Sequence, residues 1–510
     1  MQPTDHHRRD PTPNRTLRSL LAETEWTQES FARAIGRLGT EADVRLSYDR
    51  TSVARWLRGS RPSPRVQRFI AEALSRRLGR PVGVTQLGMG DGRRGGPGRP
   101  RPADGTEAPQ AGPYPGRSPV SPADQLAALT AAVVGPPRAD SPPPAPYEVT
   151  FPTTEAAGAS ADGSTAARST NIGNDRTETP EPLRPRPPRA GSPSLSRGGR
   201  SARRTTPDEV ASIREHVRFF AQQADRHGGG HIRTPLAASL ASLVRRLRTG
   251  GEGPHHPQLV AGAARLSYLL ARVYADEQRH GLAQRAFLTA AELAEEGEDP
   301  EGVALVRRAL SSQAYQLGHR RQSLALAEAA CSSAPADSAP SARAFLYAGL
   351  AVAQAAEGER SHAMSALRRA EYELARAPAD LTTGPESPDG EPVGAYQDAA
   401  LHYQSSQVRA ALGDKDGAIG ELRASLRSRP EGERRSRAVS EAELAELLLS
   451  RGRLEEACTT WQAFLENSAL IRSGRARRAR DRMPRLLRPY AHERCVQSLS
   501  TRAGLPLGGP

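Results

Sequence analysis

Aromatic residues make up only 4% of this chain of 510 residues, and lysine occurs once, at Lys415. Hydrophobic residues reach 37%, while 46 glycines and 43 prolines are unevenly spread, so part of the chain cannot build a core. The lysine shortage reads as GC-rich coding. Together with the absence of any GxxxxGK[ST], it removes phosphate-loop chemistry. The three cysteines, Cys331, Cys458 and Cys495, are odd in number, far apart and form no CxxC. That excludes a disulfide framework or a zinc finger and leaves each as a small core residue of a helix. No apolar run approaches the roughly 20 residues that span a bilayer. The first residues, MQPTDHHRRDPTPNRT, lack the apolar stretch of a signal peptide. The expectation is a soluble, cytoplasmic protein with no membrane partner.

Catalytic signatures are missing too. HExxH, GxSxG and His/Cys clusters at ligand spacing do not occur, and the pairs His6-His7 and His255-His256 sit in proline-rich loops. Gly90-Asp91-Gly92-Arg93-Arg94-Gly95 matches GxGxxG, but it opens a Gly/Pro/Arg stretch instead of following a strand, as a dinucleotide site requires. No enzyme, cofactor or metal site is expected.

What is present is charge asymmetry and helical periodicity. The formal net charge is +14, and residues 1–90 hold 16 arginines against 9 acidic residues. Half of the excess thus lies in the first sixth of the chain, which points to a polyanion-binding head and a nearly neutral body. Residues 14–88 read as a compact helical domain. Residues 89–206, with GRRGGPGRPRP and SPPPAP, read as a disordered linker. Within that linker, 122–134 (PADQLAALTAAVV) reads as a transient helix, a lone amphipathic turn more than a docking motif. Helical periodicity resumes at Pro207 and continues to about residue 490, interrupted by a loop over 378–394. The fold class is therefore all-α. A short strand at Val82–Val84 is the one competing possibility, against Leu87 as a terminal packing residue.

In the head, Leu17, Leu20 and Leu21 form one buried stripe. Thr27 is placed to cap a second helix carrying Phe31, Ala34, Ile35 and Leu38. Ser47 or Asp49 can cap a third, in which Val53, Trp56 and Leu57 face the core. Gly59 ends that helix, and the Pro62–Pro64 turn leads to a fourth bearing Val66, Ile70, Ala73, Leu74 and Leu78. The stretches TQESFA at 27–32, SVARWLRGSRP at 52–62 and IAEAL at 70–74 resemble the XRE/Cro/CI-type helix-turn-helix over about 75 residues. TEADVRL lengthens the usual tight turn between the second and third helices. The resemblance implies double-stranded DNA as partner, with the third helix in the major groove. Arg50, Thr51, Ser52 and Arg55 would meet base edges, and Gln28, Arg58 and Arg61 would hold phosphates.

The C-terminal body repeats a register of glycine, small residue, large apolar residue and small residue. Gly318 leads to Ser323, Ala327 and Ala330; Gly358 to Ala363, Leu367 and Ala370; Gly413 to Ala418, Leu422 and Ser425; Gly452 to Ala457, Trp461 and Phe464. An earlier copy, Ala283, Phe287 and Ala290, lacks its glycine. The glycine permits a sharp turn between antiparallel helices, and the small residues let those helices approach. The register resembles a tetratricopeptide-repeat α-solenoid of five units over 258–468, with two further helices from Pro207 to Thr249. Such an array implies a peptide or protein ligand on its concave side. Tyr268, Arg272, Gln313, Tyr347, Gln354, Tyr403 and Gln407 are the candidate partner-binding residues. GGGHIR at 228–233 reads as a plain turn ahead of an anion site, and the arginine-rich 472–488 as a capping helix ahead of a second polyanion contact.

The combination is similar to actinobacterial regulators joining an XRE-type head to tetratricopeptide repeats. It implies a sequence-specific transcriptional regulator, of the kind that restrains sporulation or antibiotic production. A flexible tether would pass little orientation between head and body, so control is expected through homodimerisation or sequestration. The competing expectation is a repeat scaffold that does not bind DNA.

Overall fold

A computed structural model of the chain describes residues 12–89, 120–134, 145–149, 204–249, 253–377 and 397–504. Among the described residues there are nineteen α-helices and no strand, in agreement with the all-α expectation. The 378–394 loop, most of the 89–206 linker and the Gly90–Gly95 motif lie outside the described residues.

The head comprises α1 (Arg15–Glu23), α2 (Gln28–Glu41), α3 (Arg50–Leu57) and α4 (Pro64–Leu78). Three of the four start on side-chain caps. Asn14 accepts from the Leu17 amide at 2.9 Å, Thr27 from Ser30 at 3.1 Å and Asp49 from Ser52 at 2.8 Å. Each satisfies an amide that the first helical turn leaves unpaired. The fourth starts on Pro64, whose missing N–H costs nothing there. Leu17, Phe31, Ile35, Val53, Phe69, Ile70 and Leu74 fill one fully buried core. A 3-10 turn, Val84–Leu87, brings Leu87 into that core, and Asn14 donates to the Leu87 carbonyl at 2.9 Å. The short strand considered at Val82–Val84 is absent because this turn leads Leu87 inward.

The body begins with α6 (Pro207–His227) and α7 (Gly229–Arg248), the two helices expected ahead of the repeats. Five antiparallel pairs follow. They are α8 (His256–Asp276) with α9 (His280–Glu296), α10 (Pro300–Leu317) with α11 (Arg320–Ser333), α12 (Pro340–Glu357) with α13 (Arg360–Ala375), α14 (Asp398–Ala411) with α15 (Lys415–Ser428), and α16 (Arg434–Ser450) with α17 (Leu454–Ser468). All fifteen anchors named from the repeat register are buried. Gly318, Gly358, Gly413 and Gly452 have φ between +73° and +87°, the left-handed turn that relieves a helix C-terminus. In the copy without glycine, Gln278 takes that conformation at φ +66°. The Arg279 amide then donates to the Tyr274 carbonyl at 2.8 Å, the same closure that His319 makes to Ala314 at 2.9 Å.

The segment 122–134 departs from its reading as a transient helix. It is a formed helix, α5 (Pro122–Val134), docked on the body. Leu126 and Leu129 enter the same core as α7, α8 and α9. Gln125 donates to Glu292 at 2.8 Å, and Asp124 pairs with Arg248. Burying a leucine as fully as Leu126 contributes about 1.5–3 kcal/mol. The partners of Asp124 and Gln125, Arg248 and Glu292, lie 124 and 167 residues further along the chain, so local pattern could not reveal the docking.

The array closes on itself. After α17, the chain enters α18 (Gly474–Leu487) and α19 (Arg494–Ala503). The Arg472 amide donates to the His227 carbonyl at 2.8 Å, and the Gly230 amide to the Arg472 carbonyl at 3.0 Å. A Cβ on Gly228 would stand 2.5 Å from that carbonyl oxygen, and its φ is +80°. The glycines of 228–230 are therefore the seam at which the end of the array meets its beginning, more than the plain turn expected of them. Asp276, 2% exposed, ties the seam further, accepting from Arg435 Nε at 2.8 Å and Ser473 Oγ at 2.9 Å.

The head rests on the body. Asp43 pairs with Arg279, and Glu72 of α4 lies 3.0 Å from His319 Nε2. Residues 145–149 pass between the two. The head therefore lies against the body with residues 145–149 between them, while most of the tether expected to be flexible lies outside the described residues.

Candidate functional site

The exposed face of α3 is built from its cap outward. Asp49 accepts from both the amide and the hydroxyl of Ser52 at 2.8 Å, and these bonds hold its carboxyl below the usual range. Val53, Trp56 and Leu57 face the core, and Tyr48 meets the Trp56 ring edge-on at 5.1 Å. That fixes the rotation of the helix. Arg50, Thr51, Arg55 and Arg58 stand exposed on its other side with the body in place. Arg61 is exposed just beyond, and Gln28 is half-buried at the start of α2. Five of the seven nucleic-acid candidates are thus exposed, with Gln28 half-buried. Ser52 is the correction: it is 7% exposed and its hydroxyl is given to Asp49, so it serves the cap and does not face outward.

The longer turn between α2 and α3 is ordered. Asp43 adopts φ +61°, and the Val44 amide donates to the Gly39 carbonyl at 2.8 Å. Val44, Leu46 and Tyr48 pack on the head core. Gly39 is required, since a Cβ would lie 2.7 Å from the Val44 oxygen and 2.8 Å from Leu46 Cγ.

Closure of the body forms a half-open cavity of about 690 Å³, walled by α6 and α8 at one end and by α16 and α18 at the other. Tyr268, Arg272, Gln313, Tyr403 and Gln407 line it. Tyr347 and Gln354 are not on its wall. Tyr347 is half-buried beneath the Arg369 guanidinium, 4.7 Å from the ring centre, and Gln354 is half-buried in α12. The sequence reading missed Arg308, Arg435 and Arg475 on the wall; the last two reach it because α16 and α18 return to the start of the array. Only Arg475 had a signal, as part of the arginine-rich 472–488.

The wall is electrostatically layered. Tyr403 donates to Glu443 at 2.7 Å, while Gln407 at 3.2 Å and Arg475 at 3.3 Å donate to its oxygen. Burial, then the Glu443 charge, pushes the Tyr403 phenol well above its ordinary range. Burial also raises Glu443. Burial opposes the charge on Arg475, yet Tyr403, Glu443 and Asp276 hold it above its ordinary value. Gln313 is 2% exposed; its amide donates to the His280 carbonyl at 2.8 Å, and its Oε1 has no partner among the described residues. Arginines on the wall outnumber acidic side chains six to three.

Among the described residues no helix is long and apolar enough to cross a membrane. The SP15 N-terminal domain family matches residues 17–90, which is the head. No curated protein matches the chain.

Proposed function

We propose that this protein is a sequence-specific DNA-binding transcriptional regulator of the cytoplasm. The observation that carries the reading is the presentation of α3. Its apolar face is locked in the head core while Arg50, Thr51 and Arg55 stand exposed on the opposite side, clear of the body. Arginine paired to guanine is the commonest specific contact in the major groove, and an eight-residue helix fits there. Gln28, Arg58 and Arg61 flank it as phosphate contacts, and the charge excess of the first 90 residues supplies attraction to a polyanion.

The body is the sensor in this reading. Its cavity falls within the common size range of ligand sites, about 300–1,000 Å³. The arginine excess and the aromatic side chains Tyr268 and Tyr403 favour an anionic ligand, such as the carboxylates of a short peptide. By its resemblance, the regulator restrains development or secondary metabolism. The longer α2–α3 turn and the inward Ser52 favour the other reading, a repeat scaffold that does not bind DNA. Selection from a random duplex library by the full-length chain separates them. A shared motif whose binding weakens steeply with salt supports the regulator; no enrichment at low salt rejects it.

A further inference from the structure

Residues 145–149, Ala-Pro-Tyr-Glu-Val, run as an extended segment between head and body. Tyr147 is 1% exposed. Its hydroxyl donates to Gln322 Oε1 at 2.8 Å, and its ring stacks on His319 at 5.3 Å and 14°. His319 in turn touches Glu72 of the head. The next residue is held by its backbone and, at its exposed carboxylate, by Arg68 of the head at 3.6 Å. The Glu148 amide donates to Gln284 Oε1 at 2.9 Å, and Gln284 Nε2 donates to the Glu148 carbonyl at 2.5 Å. One side-chain amide thus grips both polar groups of a single extended residue. Gly281 completes the groove, since any Cβ there would overlap the Ala145 carbonyl.

A backbone clamp, a glycine allowing close approach and a pocket for one aromatic side chain are the parts of a peptide-recognition site. They come from α9 and α11 of the repeats, while the head closes the pocket through Glu72. We propose that this groove is a peptide-binding site filled in cis by residues 145–149. Its ligand class is an extended peptide carrying Pro-Tyr followed by an acidic residue. Tethering to the docked α5 keeps the internal segment at an effective concentration on the order of millimolar. A partner segment of the same chemistry therefore competes with it, and emptying the groove loosens the head. This site is separate from the half-open cavity of the body and does not depend on DNA binding.

The test uses the full-length chain with residues 145–149 replaced by Gly-Ser-Gly-Ser-Gly, and a fluorescein-labelled Ala-Pro-Tyr-Glu-Val peptide. The replaced chain should bind the peptide at least tenfold more tightly than the wild type. Changing the peptide's tyrosine to alanine, or adding Gly281→Leu to the chain, should remove that binding. Hydrogen exchange across Arg68–Arg76 of α4 should rise at least tenfold on replacement and fall again when peptide is added. Tyr147→Phe, which keeps the stacking and loses the Gln322 bond, should give an intermediate rise. If the replaced chain keeps its helical circular dichroism but does not bind the peptide, or binds it no better than the wild type, the site is refuted. A wild-type dimer that disappears on replacement would make the occupant a second copy's segment and overturn the assignment in cis.

Discussion

Asp276 is the joint at which the first repeat helix meets the last, so Asp276→Ala should open the ring without unfolding it. The carboxylate is 2% exposed and accepts from Arg435 and from Ser473, on the far side of the seam. Removing one partner of a buried ion pair costs about 3–5 kcal/mol. Arg435 keeps Asp225 at 3.8 Å and its side chain is 15% exposed, so part of its charge stays compensated. We take about 2–3 kcal/mol for the loss. At tenfold per 1.4 kcal/mol, closure should weaken by about 30–150-fold. The amides of Gly230 and Arg472 bond across the seam, so their native-state hydrogen exchange reads the opening directly. Both should accelerate by that factor while α12 and α13, on the other side of the array, keep their protection. Unchanged exchange at the two amides would refute the clasp. Equal acceleration in α12 and α13 would mean that Asp276 supports the whole body instead.

Two further outcomes follow from local geometry. His280 is 2% exposed with both ring nitrogens unpartnered among the described residues, and burial, followed by the charges of Arg76, Arg478 and Arg475, pushes it down to about 3. Between its ordinary value of 6.5 and about 3 the unfolded chain binds one more proton than the folded chain. Stability should therefore fall as pH falls through that window, by at most about 1.4 kcal/mol per pH unit. His280→Leu should flatten this part of the urea-midpoint profile, and an unaltered slope would place the titration elsewhere. Gly39→Ala should destabilise the head by about 1–3 kcal/mol through the clash with Val44 and Leu46, where a helical Gly→Ala change ordinarily gains about 1 kcal/mol. Faster exchange in α2 supports this, and slower exchange contradicts it.

Local chemistry was legible in the sequence and long-range closure was not. The Thr27 cap, the inward Val53, Trp56 and Leu57, and the repeat anchors from Ala283 to Phe464 follow from spacing, because each depends on neighbours within one or two helices. Gln278 could not be recognised as a turn residue, since only tertiary packing makes a glutamine adopt positive φ. The same limit hid α5, whose apolar stripe has its partner far along the chain, and the seam at Gly228–Gly230. Ser52 was misassigned because a serine at the start of a recognition helix can face either DNA or its own cap, and the Asp49 carboxylate decides for the cap. Five of the seven groove candidates line the cavity; Tyr347 and Gln354 do not, because the ring closes over only part of the concave face.

The central claim is most directly tested by genome-wide DNA occupancy of the tagged wild-type protein beside an Arg50→Ala/Arg55→Ala variant. Each arginine is assigned about 1–3 kcal/mol of base discrimination. The account predicts discrete wild-type peaks sharing one sequence motif, lost in a variant that is equally abundant and folded. Absence of peaks above background for the wild type, or peaks unchanged in the variant, would contradict it.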